Sequence, residues 1–139
     1  MLGYPIELTP DDNATLLVTC PDLPEVTTFA KSEAEARVRA KDAIEEALAG
    51  RIADGDDVPA PTSDGIVAPL PALTLAKVEL YRALRAEGLS IAELADRLGI
   101  QATSAGHLLD LNHRTAMPQL EAAFRALGRR LGIEVSVAA

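Results

Sequence analysis

A chain of 139 residues suits one ordinary domain or two small ones, and 48% hydrophobic with 24% charged residues excludes a disordered polymer. Its single cysteine, Cys20, excludes an intrachain disulfide and a cysteine-based metal cluster. A net charge of −8 excludes a uniformly basic nucleic-acid binder.

The first half reads as strands followed by one helix. Tyr4 to Thr9 alternates as a strand does, and Pro10-Asp11-Asp12-Asn13 is a turn cluster. Thr15 to Cys20 is a short apolar, β-branched run that Pro21 to Pro24 breaks, and Val26 to Ala30 makes a third strand. At Ser32 the period changes. Ser32 and Glu35 form an S-x-x-E capping box, and Ala36, Ala40, Ala43, Ile44, Ala47, Leu48 and Ile52 recur on one helical face. Gly55 is the expected stop, and Glu33, Arg37, Lys41, Glu45 and Glu46 form the solvated side. A small antiparallel sheet covered by this helix is therefore expected. An acidic, Pro-containing connector (Asp54 to Ser63) leads to one more short strand at Ile66 to Ala68, and Pro69 and Pro71 mark the expected linker.

The second half is read as helical. A first helix covers Thr74 to Glu87; a second begins at a capping box of Ser90 and Glu93, with Ile91, Leu94, Ala95 and Leu98 inward, and stops at Gly99. A third covers Thr103 to Leu111. A fourth starts near Pro118, buries Leu120, Phe124, Leu127 and Leu131, and closes at Gly132. Ile133 to Val137 (IEVSV) alternates as an edge strand would, pairing either between chains or within its own.

Ser90, Ala95, Gly99 and Ile100 stand where a helix-turn-helix needs a cap, a small packing residue, a turn glycine and an apolar follower. The second helix of such a unit has Gln101, Ala102, Thr103, Gly106 and His107 on its exposed side or N-terminal end, where Gln and Thr can read base edges. Asn112, His113 and Arg114 follow it and could grip phosphate. This segment resembles the DNA-binding domain of the phage-repressor (Xre) family over most of residues 73–131. Ile91 departs from the polar residue common there, and Ala105 is smaller than usual. The bland alternative is a helical bundle used only for dimerisation. His107 and His113, with no cysteine or paired acid beside them, read as surface residues rather than metal ligands.

Charge divides with the elements. Residues 1–72 hold 5 Lys/Arg against 14 Asp/Glu, net −9, and residues 73–139 hold 8 against 7, net +1. An acidic half repels nucleic acid and suits a basic protein partner. Tyr4-Pro5, then Pro21-Asp22-Leu23-Pro24, then Ser32 with Glu35 resemble, in order, the HicB antitoxin family. The helix-turn-helix fits one of the DNA-binding endings of that family. Glu25 departs from the glycine common after the second proline.

The resemblance implies a partial ribonuclease-H-like domain that blocks a small, basic, mRNA-cleaving HicA-like toxin. The expected organisation is a toxin-binding domain over 1–68, a linker over 69–72, and a helix-turn-helix DNA-binding and dimerisation domain over 73–139. The fold class is α+β. The expected protein is a cytoplasmic antitoxin that represses its own operon as a homodimer or higher homo-oligomer. Neither cofactor nor enzymatic activity is expected, since Glu7 alone among the acids lies within a strand. No basic-then-apolar leader opens the chain, and no apolar run approaches the roughly 18 residues of a membrane span. The alternatives are a stand-alone transcriptional regulator with a sensing N-terminal domain, and a metal-dependent nuclease.

Overall fold

The computed structural model describes residues 3–62 and 65–137. It is mixed α+β: strands β1 (Gly3–Asp11), β2 (Thr15–Thr19), β3 (Thr27–Ala30) and β4 (Ile66–Pro69), with helices α1 (Glu33–Asp54), α2 (Ala72–Glu87), α3 (Ile91–Leu98), α4 (Ala102–His107) and α5 (Met117–Ala126). The chain divides into two compact units, one up to Val78 and one from Glu79, and the division falls inside α2. Residues 69–72 comprise the end of β4, two intervening positions and the first residue of α2.

In the first unit the four strands are antiparallel in the order β3-β2-β1-β4. β1 changes partner along its length: Gly3 to Ile6 pair with β4, and Glu7 to Asp11 pair with β2. Each half of β1 thus has one free side, where the missing N–H of Pro5 or Pro10 costs no ladder bond. The register of Leu8 with Val18 and of Val18 with Thr28 sets one apolar face, continued by Tyr4, Ile6 and Ala68. α1 lies on that face through Ala36, Ala40, Ile44 and Leu48, all buried. The Tyr4 hydroxyl donates to the Pro59 carbonyl at 2.7 Å, and Asp22 accepts from the Thr62 amide at 3.0 Å. The acidic connector is thereby strapped to the sheet.

The helix ends follow local chemistry. Ser32 Oγ accepts from the Glu35 amide at 3.1 Å, but the Glu35 carboxylate pairs with Arg39 at 2.8 Å, so this box forms on one side only. Around Ser90 the box is complete, with Ser90 Oγ accepting from Glu93 N and Glu93 Oε1 accepting from Ser90 N.

Four expectations for the second half need correction. The helix expected over Thr103 to Leu111 ends at His107, because Leu108 and Leu109 close three-residue turns onto Ala105 and Gly106. The last helix ends at Ala126, not at Gly132: Gly128 takes a left-handed φ of 71° and Arg129 N bonds back to the Phe124 carbonyl, leaving Leu131 outside it. Ile91 is 40% exposed rather than inward, since a side chain in the first helical turn projects past the helix N-terminus. Finally, Ile133 to Val137 forms no strand with any described residue of the chain. A strand exists only with a partner ladder, and here none is offered.

Candidate functional site

Two surfaces are candidates, one in each unit. In the second unit, α3 and α4 join through a tight turn. Gly99 has φ 67°, a conformation that glycine adopts without strain, and the Ile100 amide bonds back to the Ala95 carbonyl at 3.0 Å. Leu94 and Ala95 from α3 and Ala105 from α4 are buried. The small Ala105 side chain lets α4 approach its neighbours closely. Ile100, the expected apolar follower of the turn, is 40% exposed.

Gln101 is the N-cap of α4, and Ala102 and Thr103 form its first turn; all three are exposed. Ser104 beside them is exposed too, and simple helical spacing from Gln101 could have singled it out. Gly106 is half-buried, and His107 closes the helix in solvent. The 108–113 segment then folds back. Asp110 Oδ1 accepts from the Asn112 amide at 2.9 Å, and the His113 ring stacks on His107 with centroids 4.1 Å apart and 7° between planes. Asn112, His113 and Arg114 are all exposed. Of the eight residues singled out from sequence, the structure brings His107 and His113 into contact. Gln101, Ala102 and Thr103 are contiguous along one helix start. The stacked pair had no signature in the sequence, since nothing in the spacing H-x₅-H specifies a returning loop.

In the first unit four acids gather around the C-terminal end of α1. Glu25, Arg51, Asp54, Asp56 and Asp57 line one shallow depression there. Arg51 donates to both Glu25 carboxylate oxygens, at 2.6 and 2.8 Å, and to the Asp57 carbonyl at 3.1 Å. The guanidinium holds the Glu25 carboxyl below the usual carboxylate range, and Glu25 in turn raises Arg51. One cation is thus spent on one acid, and the depression remains net acidic. Along α1, Arg37, Arg39 and Lys41 are likewise tied to Glu33, Glu35 and Glu45. Glu25 sits in a turn closed by Leu23 N to Cys20 O and Val26 N to Leu23 O, without a positive φ, so glycine is not needed at this position. Cys20 is buried, and that burial pushes its thiol pKa up.

The sheet face opposite α1 carries Glu7, Thr9, Leu17, Thr19, Thr27 and Phe29, with Phe29 48% exposed beside its cross-strand partner Leu17. Glu7 stands on this face opposite Thr19. Among the described residues, no three His, Cys, Asp or Glu side chains come together as a metal-holding group. Among them, too, no helix is long and apolar enough to cross a membrane.

Comparison with known proteins adds a family. Residues 3–79 match the family described as HicB_like antitoxin of bacterial toxin-antitoxin system, a span that coincides closely with the first unit. Relatives extend the similarity to both units. Antitoxin HicB of Pseudomonas fluorescens (strain Pf0-1) is 35% identical over 143 residues, covering 99% of this chain and 97% of that protein. Antitoxin HicB of Escherichia coli (strain K12) is 31% identical over 135 residues, covering 95% and 98%. Antitoxin HicB 2 of Photorhabdus laumondii is 31% identical over 131 residues, covering 94% of each. With the strapped sheet-and-helix unit matched by the family and the whole chain matched by its relatives, this chain belongs to the HicB-like antitoxins of bacterial toxin–antitoxin systems.

Proposed function

We propose that the first unit is a partial ribonuclease-H-like domain that neutralises a small, basic, mRNA-cleaving HicA-like toxin by occlusion, without chemistry of its own. The observation that carries this reading is the placement of charge. Residues 1–72 hold a net −9, and most of the cations among them are already paired with acids of the same unit. Such a surface competes with RNA phosphate for a basic protein and repels RNA itself.

The second unit is a helix-turn-helix of the phage-repressor type that binds the promoter of its own operon. α4 is its recognition helix: Gln101 and Thr103 read base edges, Ala102, Gly106 and His107 contact the groove, and Asn112, His113 and Arg114 hold phosphate. The protein acts as a homodimer or higher homo-oligomer in the cytoplasm, because one such unit reads only half of a palindromic site.

The test is co-expression with the basic protein encoded beside this one. Growth should be rescued by the full chain and by residues 1–78 alone; failure of both removes the neutralisation reading. For DNA, Gln101→Ala and Thr103→Ala should each weaken operator binding by about 1–3 kcal/mol per lost base contact. Unchanged binding would displace α4 as the recognition helix, leaving the stand-alone regulator with another reading element or none.

A further inference from the structure

The loop that joins α4 to α5 is pinned at both ends and held in between by α4 itself. Leu108 and Leu109 are buried where the chain leaves the helix, and Thr115 is buried where it returns. Between them Asp110, Asn112, His113 and Arg114 are exposed. Local bonds shape this stretch. The His113 amide donates to the Asp110 carbonyl at 3.1 Å, the Asn112 amide donates to Asp110 Oδ1 at 2.9 Å, and His113 Nδ1 lies 3.3 Å from the Thr115 hydroxyl. Those contacts run within the loop. The ring stack differs in kind, because it lays a loop side chain flat against His107, the last residue of α4, with centroids 4.1 Å apart and planes 7° from parallel. Rings so placed touch over their faces, which resists sliding of the loop along the helix.

Such a contact matters to a surface that must meet two features of one ligand at once. In the DNA reading of this unit, Gln101 and Thr103 meet base edges while Asn112 and Arg114 meet phosphate. Duplex DNA fixes the spacing between base edges and phosphates, so the helix and the loop must keep one offset to engage both. A loop free to shift would still find phosphate on any duplex, but seldom with the helix start in register with its bases. Fixing the offset in advance therefore strengthens binding to the right sequence and adds little to binding elsewhere.

We propose that His107 and His113 are a positioning pair: their stacked rings lock the 108–114 loop at a fixed offset from α4, which makes the phosphate grip of Asn112 and Arg114 selective for the operator. The proposal rests on the DNA reading for its purpose, whereas the lock itself is measured without DNA.

The experiment uses the full chain with His107→Ala, His113→Ala, both together, and His107→Phe. Both rings are exposed, so these substitutions leave the core untouched. In the free chain, backbone 15N relaxation should show the order parameters of Asn112 and Arg114 falling in His107→Ala and recovering in His107→Phe, because a phenyl ring stacks as an imidazole does. On a duplex carrying the promoter of its own operon, each alanine variant should lose roughly three- to tenfold in affinity. Affinity for an unrelated duplex of the same length should stay within about twofold. The double variant should bind no worse than either single one, and His107→Phe should bind like the wild type although phenyl offers DNA no hydrogen bond. Losses that add in the double variant, or a His107→Phe protein that binds no better than His107→Ala, overturn the proposal, since the two imidazoles then touch DNA separately. Order parameters unmoved by His107→Ala in a chain that binds its operator refute the lock and leave the DNA reading standing. A loop that loosens in His107→Ala while the wild-type chain ignores the operator overturns the DNA reading and, with it, the purpose assigned to the lock.

Discussion

Glu25 shows how a single departure from a family pattern is absorbed. A carboxylate replaces the expected glycine, the backbone stays in an ordinary conformation, and Arg51 reaches across from α1 to hold it with two hydrogen bonds. The pair is partly exposed, with the Glu25 side chain at 42%, so solvent limits its contribution to at most about 1 kcal/mol. Its pH dependence has a definite sign. Because the folded carboxyl titrates below its unfolded value, the stabilisation is complete above the usual carboxylate range and is lost as pH falls through the depressed folded value. Glu25→Gln should therefore be less stable than wild type at pH 7 by up to about 1 kcal/mol. The gap should close in urea melts below the carboxylate range, where the wild-type carboxyl is also neutral. A gap that persists there would mean that the substitution acts through packing, not charge.

Two glycines separate close approach from mere tolerance. A Cβ on Gly3 would lie 2.1 Å from the Ala68 carbonyl oxygen, a backbone atom of the paired strand that cannot swing aside. Gly50, in α1, has nothing within 4 Å of the corresponding position. Gly3→Ala should cost roughly 2–4 kcal/mol by separating β1 from β4, whereas Gly50→Ala should gain about 0.5–1 kcal/mol from helix propensity. Chemical denaturation of the two variants reads both signs. Equal effects would mean that the β1–β4 pairing carries little of the stability.

The same elements show what sequence can reveal. Alternation marked β1, a short apolar, β-branched run bounded by prolines marked β2, and the 3.6-residue period with Ser32 and Gly55 marked α1 almost to the residue, because those patterns arise from burial. The ends of α4 and α5 were not legible. Both depend on short-range turns, at Leu108 and at Gly128, that compete with a helical pattern still apolar beyond them. Gly3 carried no signal because its constraint comes from a strand more than sixty residues later. The fully buried Lys77 was equally hidden, since a lysine on a helix reads as solvated until its neighbours are known. At the candidate DNA surface the N-terminal turn of α4 was readable from spacing. The returning loop that stacks His113 on His107 was not, because tertiary contact and not local period decides it.

Division of charge makes the two proposed activities respond differently to salt. A toxin drawn to a net −9 surface is steered by long-range attraction, which an ionic strength of 0.5 M screens within a few ångströms. Raising NaCl from 0.1 to 0.5 M should slow association of the full chain with the toxin by roughly tenfold, with the dissociation rate nearly unchanged. Operator binding from a near-neutral unit has no such steering. It should lose equilibrium affinity in proportion to the few phosphates held, with a shallow slope of log affinity on log salt. Neutralising two exposed acids of the first unit, Glu46→Gln and Asp54→Asn, then discriminates further. Toxin association should slow severalfold at low salt and converge with wild type at high salt, while operator affinity stays within about twofold. If the same substitutions tightened operator binding by tenfold, the acidic unit would be restraining the DNA-binding unit. The two activities would then share one electrostatic field instead of being divided along the chain.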